Sequence, residues 1–365
     1  MKTCISPLQL SSLLAIEDLT QNSSHCIAQM VDILRSAISS LYPDLPIHML
    51  NGPAVVNADH NYRLLGYPTD NITQSNIYTK WVDEHHMLRT QTTSLILEYV
   101  LRWRHAPHPV VLLAPGMVHR RDVRDRWHCA QPHQMDIWVL GVPATPQTIR
   151  VAMEALSHSA VHQTPVLHKT THPYTQHGLE INAQWGAQEL EIGEGGGIAP
   201  SLLERLYIDP KWGGLATGWG LDRLVMVRKQ LPDIRLLRDP LPTIERQMKN
   251  LNTWVSVSRH PSAARHLSVI RSAESEEALV ESVLNGLPES AHLVQEIVVT
   301  DCCPVSALSP TARNRLGPTT ERQNNVVVKI VWQSELGSLD RNQVNHWARV
   351  AYKTIHQGTQ WENCP

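Results

Sequence analysis

Residues 115–138 read PGMVHRRDVRDRWHCAQPHQMDIW. An apolar run from Pro109 to Leu113 leads into this stretch, and Ile137-Trp138-Val139-Leu140 leads out of it. Two apolar runs with a charged interval between them predict a pair of strands joined by a loop. The loop carries Arg120, Arg121, Arg124 and Arg126 beside Asp122 and Asp125, followed by His128, Gln131, His133 and Gln134. Forked guanidinium cations next to amides and acids suit a polyanion held beside an amphoteric small molecule. A solvated, salt-bridged hairpin has the same composition, so the choice between the two rests on the order of the residues and on the rest of the chain.

The 365 residues, 42% of them hydrophobic, suffice for one large domain and a smaller one. The net charge of −2 carries no global basic field of the kind that marks many nucleic-acid binders. Six cysteines occur without a C-x-x-C pair, which favours reduced thiols and a cytoplasmic setting over a disulfide framework or zinc site. Histidine is abundant, at 20, yet no H-E-x-x-H spacing appears. No apolar run approaches the ~18 residues of a membrane span, and Pro7 and Glu17 interrupt the first residues in a way that suits a signal peptide poorly. Phenylalanine is absent although Trp occurs 11 times; ordinary usage predicts on the order of ten or more Phe. Compositional drift accounts for this poorly, because Trp and Tyr remain.

Helical spacing of Ile27, Met30, Val31, Leu34, Ile38 and Leu41 predicts a helix capped by Ser23 or Ser24 and stopped by Pro43. Ile47–Leu50 and Val55-Val56 read as short strands, with Asn51-Gly52 as a turn. Thr148 to Ser157 reads as a helix. After an irregular stretch at 250–261, strands are expected at 267–271, 293–300 and 325–332. Helices are expected at 275–284 and over a last amphipathic run containing Val344, Trp347, Ala348, Ala351, Tyr352 and Ile355.

His119-Arg120-Arg121-Asp122 resembles motif 2 of the class II aminoacyl-tRNA synthetases: an aromatic-like residue, Arg, any residue, then an acid. Its continuation, Arg124-Asp125, His128 and Gln131-Pro132-His133-Gln134-Met135-Asp136, resembles the phenylalanyl branch, which reads YRRD, D-x-x-H and FHQxEG. Four further stretches follow the same branch in order. Leu88-Arg89-Thr90-Gln91-Thr92-Thr93-Ser94 resembles its LRTHTS. His172-Pro173-Tyr174-Thr175-Gln176-His177-Gly178 resembles its F-P-F-T-E-P-G. Residues 189–197, ELEIGEGGG, resemble its WxEIxGxG. Gly218-Trp219-Gly220-Leu221-Asp222-Arg223 resembles motif 3, G-x-G-x-x-R.

The resemblance implies an α+β fold: a class II antiparallel sheet core flanked by helices over 1–250, and a ferredoxin-like, anticodon-binding-like domain over 260–365. It implies ATP-dependent activation of phenylalanine or a related amino acid and transfer to tRNA, in particular a tRNA for phenylalanine, with ATP and Mg²⁺ required. Arg120, Asp122 and Arg223 are the implied catalytic residues. His128, Gln131, His133 and Glu191 join them around ATP, with Glu191 on Mg²⁺. Gln91, Thr93, Gln134, Asp136, His172, Tyr174 and Ala216 are the implied amino-acid contacts. The departures are concentrated there: His172 and Tyr174 replace two Phe, each adding a polar tip that needs a partner when buried. Pro132 replaces the Phe expected to stack on adenine, and His266 stands where the second domain usually has Asp. That domain, from Arg259 on, holds ten Lys and Arg against eleven Asp and Glu, without the basic excess that favours RNA. Size and domain order resemble the single-chain, organellar type, and class II cores often pair as homodimers. The alternatives are a paralogue that passes its activated amino acid to a non-tRNA acceptor, and a non-catalytic regulator that binds amino acid or tRNA.

Overall fold

The computed structural model describes residues 2–361 except 69, 70, 77, 121–124, 259, 274 and 335. Two compact units divide at Val255 and Ser256.

The first unit is built on a seven-stranded sheet. Its strands are β1 (Ile47–Met49), β4 (Val110–Met117), β5 (His133–Leu140), β6 (Val166–Lys169), β7 (Thr175–Trp185), β8 (Gln188–Ile198) and β9 (Gly214–Gly220), in the order β1-β4-β5-β9-β8-β7-β6. Only β1 and β4 run parallel. β2 (Val55–Asn57) and β3 (His86–Leu88) form a separate two-stranded sheet. Asn51-Gly52 is therefore not a hairpin turn: the strand before it joins β4 and the strand after it joins β3, so tertiary pairing overrides the local signal. The opening hairpin is as expected, with β4 paired to β5 from Val110–Leu140 to Met117–His133.

Central strands buried on both faces explain why β4 and β5 read as nearly continuous apolar runs. One face packs against α4 (Pro146–Val161) and α6 (Leu221–Lys229), which α2 (Cys26–Leu41) covers in turn, and the other against α3 (Thr93–Trp103). Shorter helices α1 (Pro7–Leu14), α5 (Pro200–Arg205) and α7 (Pro242–Gln247) complete the unit. The cap of α2 is His25, not Ser23 or Ser24: its Nδ1 accepts from the Ile27 N–H at 3.2 Å.

Lys229 closes α6 and is almost fully buried. Its Nζ donates to the carbonyls of Gln247, Asn250 and Asn252, each at 2.8 Å, which uses all three ammonium protons. Lys229→Met keeps the stem but strands three buried carbonyls. We expect it to lower stability by roughly 3 kcal/mol, read as a fall in the urea midpoint with an unchanged slope.

The second unit contains β10 (Ala263–Arg271), α8 (Glu276–Asn285), β11 (Val294–Pro304), α9 (Pro310–Leu316), β12 (Asn324–Trp332) and α10 (Arg341–Ile355). Its sheet order is β10-β12-β11, with both neighbouring pairs antiparallel. Val326, Val328, Ile330 and Trp332 alternate onto one face and pack with Leu279 and Val283 of α8 and Val344, Ala348 and Tyr352 of α10. Three strands are present among the described residues; the fourth of a complete ferredoxin-like unit is not.

Candidate active site

Direct opposition across the sheet puts residues on a shared face. One row runs Ala114, Asp136, Gly218, Glu194, Glu180 across β4, β5, β9, β8 and β7. A second runs Gly116, Gln134, Gly220, and a third runs Leu112, Trp138, Ala216, Gly196. The middle of this face is glycine, at Gly218 and Gly220, and the space left open is a cavity of about 380 Å³. A methyl at Gly218 would lie 3.7 Å from Asp136 Oδ1, so it would fit but would occupy that space.

One end of the cavity is a chain of ionic contacts. Arg223 at the start of α6 places Nη1 3.2 Å from Glu191 Oε2 and 3.0 Å from the Glu191 carbonyl. Its Nη2 donates to His128 Nε2 at 3.0 Å, while His128 Nδ1 faces Asp125 Oδ1 at 2.9 Å. Each group fixes the next: Asp125 turns His128, and His128 together with Glu191 holds the guanidinium fork. A bulge between Ile181 and Asn182 in the β7–β8 pairing allows Glu191 to take part out of the strict alternation. Arg120 enters from the loop after β4, held by an Nε hydrogen bond to the Thr90 carbonyl at 2.9 Å. It also lines the cavity.

The floor is acidic. Asp136 accepts from Thr92 Oγ1 at 2.8 Å and Thr93 Oγ1 at 2.6 Å, both at the start of α3. Burial raises its carboxyl to about 6, against the lowering effect of these hydroxyls. Beside it Tyr174 stacks on Trp138, with ring centres 6.1 Å apart and planes 13° from parallel. Burial pushes the Tyr174 phenol well above its ordinary range. Gln91 is anchored through Nε2 to the Asn61 carbonyl at 2.7 Å.

The expected residues divide accordingly. Gln91, Thr93, Arg120, His128, Gln134, Asp136, Tyr174, Glu191 and Arg223 line one cavity. Asp122 lies outside the described residues. Gln131 is not part of the lining. His133 reaches the lining, but its ring is fully buried in a structural network: Nε2 accepts from the Leu19 N–H at 3.2 Å and Arg238 Nη2 at 2.9 Å, and Nδ1 faces Asp222 Oδ1 at 3.1 Å. Asp222 also accepts from the His133 backbone N–H. Such a ring is unavailable to stack on a base. Ala216 lies one row further along the sheet, opposite Trp138, and does not line the cavity. His172 stands behind the wall, with Nε2 2.7 Å from Glu194 Oε2.

Glu194, Trp127, Asp222 and Ile234 line the cavity without having been expected there. Glu194 was visible as the acid inside ELEIGEGGG, where the WxEIxGxG pattern has glycine. Its partner His172 lies 22 residues away, so only the strand register connects them.

His119, the aromatic-like residue that opens the HRRD run, is fully buried and neither ring nitrogen finds a partner among the described residues. Burial, with Lys80 and Arg89 nearby, lowers its pKa to about 4. Native-state stability is therefore full above the unfolded value of about 6.5 and is lost as pH falls toward 4. His119→Phe removes two unpaired polar atoms. We expect a gain of about 1 kcal/mol at pH 7, larger at pH 5, in urea unfolding followed by tryptophan fluorescence.

The family model of the tRNA synthetases class II core domain (F) matches residues 12–248. The phenylalanine--tRNA ligase alpha subunit of Prochlorococcus marinus subsp. pastoris is 30% identical over 200 residues, covering 54% of this chain and 59% of that one. The alpha subunit of Acaryochloris marina is 26% identical over 243 residues, covering 65% and 73%. The chain thus spans little more than half the length of several of these relatives. A solved pyrrolysyl-tRNA synthetase from Desulfitobacterium hafniense superposes with a TM-score of 0.48 at 16% identity, covering 64% of this chain and 78% of that one. With its matched segment spanning most of the first unit and its motifs gathered around one cavity, this chain belongs to the class II tRNA synthetase core-domain family.

Proposed function

We propose that this chain activates an α-amino acid with ATP, forming an aminoacyl-adenylate, and transfers the acyl group to tRNA. The observation that carries the reading is the single cavity that joins Arg120, Arg223 and Glu191 to Gln134 and Asp136. Polyphosphate chemistry needs fixed cations, and a free amino acid needs an acid for its ammonium group.

In the first step a carboxylate oxygen of the amino acid bonds to the α-phosphorus of ATP, and pyrophosphate leaves. Arg120, braced on the Thr90 carbonyl, grips the α-phosphate and stabilises charge as it develops. Arg223, held in plane by Glu191 and His128, covers the nucleotide with a permanently charged fork. Asp136 and Gln134 take the substrate ammonium, and Thr92 and Thr93 fix the carboxylate that receives it. We assign Asp122 to the adenine amino group or to orienting Arg120. In the second step a terminal ribose hydroxyl of tRNA attacks the acyl carbonyl and AMP leaves.

Magnesium bound through ATP requires only one or two protein carboxylates. Glu191 supplies a partly exposed one at the cavity wall, so the residues fit. When bound, the ion neutralises phosphate charge.

We assign catalysis to residues 1–250 and a ferredoxin-like tRNA-contacting role to residues 260–365. We place the protein in the cytoplasm with its tRNA, preferably one for phenylalanine. No helix among the described residues is long and apolar enough to cross a membrane. Relatives named alpha subunits make a second type of subunit an alternative to a monomer or homodimer, and light scattering of the chain alone and after mixing distinguishes these. Amino-acid-dependent pyrophosphate exchange tests activation, and its absence would exclude it in favour of a binding regulator. Charging of total tRNA then separates a tRNA ligase from an activator serving another acceptor.

A further inference from the structure

Glu194 and Asp136 lie in one row of the sheet, opposite each other across Gly218. Their Cα atoms are two strand spacings apart, about 10 Å, and the glycine between them puts no side chain into the gap. Glu180 continues the row beyond Glu194. Two carboxylates therefore face one small cavity across open space. The Asp136 carboxylate is nearly buried and braced by two hydroxyls, whereas the Glu194 side chain is 36% exposed and has His172 as its only ion-pair partner among the described residues.

An apolar substrate side chain is a poor occupant of this space. It would strip water from the Glu194 carboxylate and supply no donor in return, which is unfavourable for a charged group. A carboxylate offers about four lone-pair directions, and His172 approaches from behind, leaving the cavity side in need of donors. Tyr174, backed by its stack on Trp138, gives the cavity a flat wall along which a methylene chain can lie.

Resting on the amino-acid activation reading, we propose that the accepted amino acid has a side chain ending in a cation. Its α-ammonium binds Asp136, and its side-chain terminus binds Glu194, positioned by His172. Glu194 is the specificity-determining residue, and the side-chain class it selects is not that of phenylalanine. The Glu194 carboxylate raises the His172 pKa, the direction expected of an acid lying against the imidazole.

The test is calorimetric binding of lysine, ornithine, arginine, leucine and phenylalanine to the full chain, with pyrophosphate exchange measured on the same panel. We expect at least one of lysine, ornithine or arginine to bind and phenylalanine to bind at least ~30-fold more weakly. Glu194→Gln is expected to weaken the preferred cation by ~30-fold. Glu194→Gly is expected to reverse the order in favour of phenylalanine, with thermal unfolding confirming that both variants are folded. Tightest binding of phenylalanine or leucine to the unaltered chain, no binding by any of the five, or a Glu194→Gln effect confined to the KM for MgATP would each overturn the proposal. Binding of a cationic amino acid without exchange would instead sink the activation reading and leave the pocket assignment standing.

Discussion

Arg120→Ala is expected to reduce amino-acid-dependent pyrophosphate exchange by on the order of 10³-fold in kcat, with a much smaller change in the KM for the amino acid. The guanidinium is fixed through Nε to the Thr90 carbonyl, so its charge is in place before the phosphorus centre accumulates negative charge, and no reorganisation is needed in the transition state. No other partner for it is present among the described residues. Removing it should therefore cost little stability. Arg120→Lys is expected to recover only part of the rate, because an ammonium cannot reproduce the Nε bond and the forked donors together. A loss of less than tenfold in Arg120→Ala would remove Arg120 from the reaction.

The second large effect concerns Asp136, where stability and function are expected to oppose each other. Its carboxyl sits at about 6 against an ordinary 3.8 because the site is dry. The native state thus holds this proton more tightly than the unfolded chain does. The stabilisation from this raised pKa is full below about pH 4 and is lost as pH rises through 6. The difference corresponds to roughly 3 kcal/mol at pH 8. Asp136→Asn removes the buried charge, and we expect it to raise the stability at pH 8 by about 1–2 kcal/mol, with no gain at pH 4. The same change is expected to weaken amino-acid binding at pH 8 by ~100-fold, since an amide cannot pair with an ammonium ion. In the unaltered chain the KM for the amino acid should rise as pH falls below 6, and binding there should release the proton held by Asp136. Urea titrations at the two pH values and calorimetry in buffers of different ionisation enthalpy check both parts. A destabilised Asp136→Asn at pH 8 would contradict the burial argument.

Much of this arrangement was legible in the chain because it is local. The hairpin from Val110 to Leu140, the threonines before α3 and the G-x-G-x-x-R entry into α6 each combine a periodic apolar pattern with a fixed polar spacing. What escaped depends on register. The Asp136–Gly218–Glu194 row joins three strands that are distant in sequence, and a bulge at Ile181–Asn182 decides which way Glu191 points. His133 illustrates the same limit. Its place in the loop suggested a nucleotide contact, but Leu19, Asp222 and Arg238, from three separate segments, turn its ring into the interior. Asn51-Gly52 had the chemistry of a hairpin turn and lost to the longer-range pairing of β1 with β4.

Absence of phenylalanine was visible at once, and the fold shows what stands at some of the family's aromatic positions. His119, His172 and Tyr174 stand at three positions where the related pattern has an aromatic ring. Both His119 nitrogens are left unpaired among the described residues, whereas His172 Nε2 lies 2.7 Å from a Glu194 carboxylate oxygen. The first replacement is a cost to stability, and the second changes the chemistry of the pocket.

Amino-acid-dependent exchange of labelled pyrophosphate into ATP, measured on the full chain with Mg²⁺ and a panel of amino acids, tests the central claim most directly. The account predicts exchange that requires an amino acid and collapses in both Arg120→Ala and Arg223→Ala. Exchange absent with every amino acid on folded protein, or exchange that survives both substitutions, would contradict it.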